Sequence, residues 1–230
     1  MNATVRRHDF ADRLTLADKL AHEVAEKLRE AIAARGHATL AVSGGGTPKV
    51  FFAVLARSVL DWSKVTVTLV DERWVGEDNE RSNARMVRDL LLKQNAEQAT
   101  FVPLYENAPT PDDALDNVNA RIDKLPQPFD VVLLGMGPDG HTASFFPGGD
   151  HLAQALALDG TRSVLSMRAE GAGEPRITLS LPRILASHAL YLHIEGDDKK
   201  QVLDDAIARD YPIASVLKQT RTPLDVYWSP

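Results

Sequence analysis

Cysteine is absent from all 230 residues. That excludes disulfides and thiolate metal ligands and fits a reducing compartment. Long apolar runs are missing as well. No stretch approaches the ~18 residues a membrane span needs, and the opening Met1–His8 has no apolar leader core. A cytoplasmic protein with no membrane partner is therefore expected. Positive charge is in deficit: 26 Lys and Arg against 32 Asp and Glu leave a net charge of −6. This argues against nucleic acid or anionic lipid as a partner. It leaves room for a small anion held by a local cluster of cations.

What is present is ordinary globular composition, 44% hydrophobic and 25% charged, in a chain long enough to bury about 70% of its unfolded surface. Apolar residues at 16, 20, 24, 28 and 32 predict a helix over 16–34, closed by Gly36. A strand over 38–42, a helix over 48–56 and a β-branched buried strand over 65–70 follow. Further helices are expected at 82–93, 112–124, 152–158 and 197–208. Further strands are expected at 100–104, 129–134, 163–167, 176–181, 190–194 and 224–228. Strand and helix alternate almost throughout, which predicts an α/β fold with a parallel-dominated sheet covered on both faces. No repeat or linker interrupts the pattern. Residues 170–175 are the only flexible-looking insertion, a hairpin or surface loop, so one domain over 1–230 is expected.

Four motifs fall at strand-to-helix junctions. In Ser43-Gly-Gly-Gly-Thr47-Pro48, glycines allow close backbone approach, with Thr47 as helix cap and Pro48 as the first helical residue. Gly44, Gly45, Gly46 and Thr47 then form either an anion-binding turn, suited to phosphate, or a plain glycine-rich turn. No Walker Gly-Lys-Ser/Thr closes it. In Asp71-Glu72-Arg73-Trp74, Arg73 has the planar fork for phosphate or carboxylate. Asp71 is either a base or the partner of Arg73. Ser82 and Asn83 look like the cap of the next helix. Asp139-Gly140-His141 leaves the apolar run Val131–Leu134 among glycines 135, 137, 140 and 148. His141 is the natural general base and Asp139 a group able to orient it. Nothing nearby offers His141 a second metal-ligating side chain at helical spacing. Lys199, opening a helix after Gly196, is either solvated or neutralised by a bound anion. Arg176, heading its strand, is a further candidate cation. His22 and His188 have no expected chemical role.

These segments, in this order, resemble the 6-phosphogluconolactonase family within the wider glucosamine-6-phosphate isomerase/lactonase superfamily. The resemblance rests most on Leu134-Gly-Met-Gly-Pro-Asp-Gly-His-Thr-Ala-Ser144, and also on Ser43–Pro48, Asp71–Val75, Ser82-Asn83, Arg176–Leu179 and Gly196–Lys199. It implies a three-layer α/β/α modified Rossmann-like fold. The implied reaction is hydrolysis of 6-phosphoglucono-1,5-lactone in the oxidative pentose phosphate pathway, without metal or organic cofactor. It further implies His141, Asp139 and Asp71 as catalytic residues. Gly44, Gly45, Gly46, Thr47, Arg73, Arg176 and Lys199 would bind substrate and phosphate. The partner would be a phosphorylated sugar lactone, and the chain a monomer or weak homodimer. The related deaminases continue to a Phe-Asn-Glu-Pro segment whose Glu supports the histidine, where this chain has Ser144-Phe145-Phe146-Pro147. They also carry Asp-Glu-Tyr where this chain has Asp71-Glu72-Arg73. Both departures favour the lactonase. The rival readings are a deaminase/isomerase-like enzyme and a non-catalytic sugar-phosphate-binding module.

Overall fold

A computed structural model describes residues 4–230; the first three residues of the opening segment lie outside it. The strands in chain order are β1 (Val5–Asp9), β2 (Ala38–Val42), β3 (Val65–Leu69), β4 (Asp71–Arg73) and β5 (Thr100–Val102). They continue as β6 (Phe129–Leu134), β7 (Val164–Met167), β8 (Arg176–Leu179), β9 (Ser187–Glu195) and β10 (Leu224–Ser229). The helices are α1 (Arg13–Arg35), α2 (Lys49–Leu55), α3 (Asn83–Leu90), α4 (Pro111–Asp123), α5 (Leu152–Leu156), α6 (Leu181–Leu185), α7 (Asp197–Asp205) and α8 (Ala214–Leu217).

Seven strands form one sheet in the order β1-β10-β9-β6-β2-β3-β5, and every neighbouring pair is parallel. Parallel central strands are covered on both faces, so they read as continuous apolar runs. β2 and β6 are buried at every position. α1 packs across β2, β6 and β10, burying Leu16, Leu20, Val24 and Leu28 completely. Asp12 caps its first turn through Thr15 N, and Gly36 ends it at φ 79°, a left-handed turn that glycine adopts at no steric cost. The result is a three-layer α/β/α Rossmann-like fold. Among the described residues no helix is long and apolar enough to cross a membrane.

Strand order reverses at β2. The chain runs outward from β2 to β3 and β5, then returns to the other side of β2 with β6 and continues through β9 and β10. Loops leaving the carboxyl ends of β2 and β6 therefore diverge and leave a crevice between them, the usual ligand site of open parallel sheets.

Several expectations are corrected. A second, antiparallel sheet, β4-β8-β7, stands apart from the first; β7 and β8 fall within the strands expected at 163–167 and 176–181, but three-residue β4 is too short to signal by pattern, and so is the pairing that joins them. Asp71–Arg73, expected at the junction that ends the strand over 65–70, is itself one of those strands. β1 was not anticipated: Arg6, Arg7 and Asp9 leave it largely exposed, so it lacks an apolar period and is fixed by pairing to β10. The expected strand over 176–181 ends at Leu179, and Leu181 opens α6 with proline in its first turn. Residues 170–175 do form the connection of a hairpin, between β7 and β8.

Candidate active site

A cavity of about 260 Å³ opens at the strand-order reversal. Every candidate catalytic and binding residue named above except Asp139 lines it, and Asp139 reaches it through His141. Its walls come from the glycine loop after β2, β4 and the segment entering α3, the 135–146 segment after β6, the β7–β8 hairpin with the start of β8, and α7 after β9.

The glycine loop is shaped by its neighbour. A Cβ at Gly44 would fall 1.9 Å from Asn83 Oδ1, so only glycine lets the loop lie against α3. Gly45 sits at φ 90°. Among the described residues no carbonyl accepts from the N–H groups of Gly44, Gly45 and Gly46, which leaves them as donors facing a ligand space. Thr47 is not the helix cap. Pro48 holds that position and has no polar side-chain atom with which to cap; the Thr47 hydroxyl accepts from Lys199 Nζ at 3.1 Å. That bond draws the first turn of α7 to the glycine loop. Burial lowers the Lys199 pKa, with Glu195 opposing, as befits a cation short of counter-charge.

β4 delivers three side chains with three fates. Asp71 is buried, accepts from Ser144 Oγ at 2.5 Å and lies 3.5 Å from Asn83 Nδ2. It forms no ion pair with Arg73, so the pairing alternative is withdrawn. Arg73 instead donates through Nη1 to the Arg81 carbonyl at 2.6 Å. Glu72 points the opposite way and is fully buried. Arg176, antiparallel to Arg73 in register, donates to the Ala172 carbonyl at 2.6 Å and lies over the Phe146 ring. Burial lowers the Arg176 pKa, while Asp71 acts against that. Arg73 Nε, Arg176 Nε and Asn83 Oδ1 are buried without a partner among the described residues. Buried polar atoms left unpaired are costly, and here three belong to residues around one cavity.

The third wall holds the imidazole. Gly140 N donates to Gly137 O and Gly137 N to His141 O, closing a tight turn that brings Asp139 Oδ1 to 2.5 Å from His141 Nδ1. A Cβ at Gly137 would meet the imidazole at 2.1 Å, so glycine is required there. Burial raises the Asp139 pKa, but hydrogen bonding and charge from His141 outweigh it and hold the carboxyl below its ordinary 3.8. The other face of His141 packs on Phe146, with ring centroids 4.3 Å apart. Nδ1 faces a carboxylate, so the neutral ring carries its proton there and leaves the Nε2 lone pair open. Among the described residues no three His, Asp or Glu side chains are grouped to hold a metal ion.

Sequence reasoning missed Arg81 and Ser144 and gave Asn83 only a capping role. Ser82, not Asn83, is the cap of α3, through Arg85 N. Asn83 is the residue after that cap, which turns its side chain back to Asp71. That placement follows from a strand, β4, whose existence the sequence did not disclose.

A family model described as glucosamine-6-phosphate isomerases/6-phosphogluconolactonase matches residues 11–228. A 6-phosphogluconolactonase of Rhizobium meliloti is 52% identical over 227 residues, covering 97% of this chain and 98% of the relative. One from Mesorhizobium japonicum is 50% identical, covering 96% and 94%. The crystal structure of a 6-phosphogluconolactonase from Shewanella baltica superposes with TM-score 0.96 at 40% identity, over 100% of both chains.

Proposed function

The chain belongs to the glucosamine-6-phosphate isomerase/6-phosphogluconolactonase family and is a lactone-hydrolysing enzyme; from that premise we propose that its substrate is 6-phosphoglucono-1,5-lactone and that His141 is the general base. The reading places it in the oxidative pentose phosphate pathway, acting as a single cytoplasmic domain, monomeric or weakly dimeric. The observation that carries it is the Asp139–His141 pair, with Nε2 open, in a cavity that also gathers Lys199, Arg73 and the free N–H groups of the glycine loop.

The phosphate is held by Lys199, Arg73 and the Gly44–Thr47 backbone, which sets the distance from anchor to reacting carbon. Nε2 of His141 takes a proton from water as the water oxygen bonds to C1. Asp139 keeps the ring in the required tautomer and stabilises the imidazolium. The oxyanion at C1 is balanced by Arg176 and the loop N–H groups, donors already in place before charge develops. Collapse breaks the bond from C1 to the ring oxygen, which takes the proton back from Nε2. The acid product then ionises. Asp71, held by Ser144 and Asn83, orients substrate hydroxyls. Phe146 replaces a group that could relay a proton, so no ring-opening chemistry is assigned.

The test is acid release from freshly made lactone, corrected for spontaneous hydrolysis, with ammonia release from glucosamine 6-phosphate measured alongside. Lys199→Ala is expected to raise KM by about tenfold or more, the loss of one charge-assisted contact of about 1.5–3 kcal/mol, with a smaller effect on kcat. Ammonia release without lactone hydrolysis would replace the reading with a deaminase. Thermal stabilisation by the sugar phosphate without turnover would replace it with a binding module.

A further inference from the structure

Arg81 lines the cavity, yet the reaction above makes no use of it. Its guanidinium grips the Glu174 carboxylate with both ends of the fork: Nη2 donates to Oε2 at 3.0 Å and Nε contacts Oε1. Glu174 Oε2 also lies 3.9 Å from Arg176 Nη2, and the Arg81 carbonyl receives Arg73 Nη1. Three guanidiniums thus meet at one lip of the cavity. Glu174 is the carboxylate that ion-pairs with two of them among the described residues. The two partners come from separate segments, Arg81 just before α3 and Glu174 in the β7–β8 hairpin.

The side chains are 52% and 25% exposed. An ion pair that exposed contributes little to stability, so it is a poor structural clasp and an exchangeable one. A phosphate monoester carries up to two negative charges and three acceptor oxygens at neutral pH. It suits an arginine fork better than a single carboxylate does.

We propose that Arg81 is a specificity-determining residue for the anionic group of the substrate, and that Glu174 is its built-in counter-anion, holding the guanidinium at the lip until a ligand anion competes for it. This rests on the phosphorylated-lactone reading. A negative side chain beside a site for an anion lowers affinity. Here it also keeps the arginine aimed and selects for ligands anionic enough to displace it.

The proposal predicts opposite signs for the two partners. Arg81→Gln is expected to raise both KM for the lactone and Kd for 6-phosphogluconate by about fivefold or more, and Arg81→Lys to recover part of the loss. Glu174→Gln is expected to lower both by about threefold to fivefold, the scale of one exposed charge interaction. The double variant is expected to track Arg81→Gln. Preference for the phosphorylated lactone over glucono-1,5-lactone is expected to narrow in Arg81→Gln. Unfolding midpoints are measured on each variant, and Kd by calorimetry, so that binding is read apart from turnover. Shifts of the same sign, no shift in Arg81→Gln, or a Glu174→Gln gain that persists without Arg81 would overturn the proposal. A wild-type protein that fails to hydrolyse the lactone would instead overturn the underlying reading.

Discussion

Glu72 accepts four hydrogen bonds without touching the cavity. Arg73 N and Asn83 N reach Oε1 at 2.8 Å, Ala84 N reaches Oε2 at 2.7 Å, and Ser82 Oγ reaches Oε2 at 3.2 Å. Two of those donors are first-turn N–H groups of α3, which no helical carbonyl can satisfy. One buried side chain thus ties β4 to the start of α3 and sets where Arg73 and Asn83 stand. Burial pushes the Glu72 carboxyl up from 4.5 to about 7, with the backbone N–H groups of Asn83, Ala84 and Arg73 pulling the other way. A raised acid pKa means that the folded chain binds more protons than the unfolded one between those values, so this group's contribution to stability declines as pH rises from 4.5 toward about 7. Glu72→Gln replaces an acceptor oxygen with a donor facing backbone N–H groups. It is expected to cost about 1–3 kcal/mol and to flatten the pH dependence of Tm over that window. Thermal unfolding at several pH values is the check, and an unaltered slope would assign the pH dependence elsewhere.

At the scale of elements, the segment after β6 shows what the sequence made legible. The apolar run Val131–Leu134, its glycines and the Asp139–His141 spacing are all local signals, and the fold places them as read. Other parts were not local. Arg6, Arg7 and Asp9 conceal β1, whose place is fixed by a neighbour more than two hundred residues away in the chain. Asp71, Glu72 and Arg73 form a strand only because β8 pairs with them. Thr47 reads as a cap because nothing local shows Lys199 arriving from the far end of the chain. The same 135–146 segment carries a direct test. Gly137→Ala would place a methyl group within 2.1 Å of the imidazole, which must swing off the Asp139 side. A fall in kcat of about a hundredfold is expected, the low end of acid–base catalysis, with near-native circular dichroism. Wild-type kcat in that variant would show that the ring tolerates other positions.

Across the whole molecule, the parallel sheet and the single reversal of strand order account for where the chemistry sits. Segments at the ends of β2, β4, β6 and β9 and the start of β8 converge there although their sequences lie far apart, so charges that look scattered along an acidic chain become one cationic cavity. The net charge of −6 therefore says little about the ligand. The local gathering of Lys199, Arg73, Arg81 and Arg176 around His141 says more. In the proposed mechanism His141, set by Asp139, moves the proton, while Lys199, Arg73 and Arg81 hold the substrate and Arg176 balances the oxyanion. The most direct measurement is the turnover of His141→Ala on freshly made 6-phosphoglucono-1,5-lactone, corrected for spontaneous hydrolysis and paired with calorimetric binding of 6-phosphogluconate. The expected result is a loss of about 10²–10⁴-fold in kcat with Kd held within about twofold. Turnover within about threefold of wild type would contradict it, and would take the proton transfer away from His141.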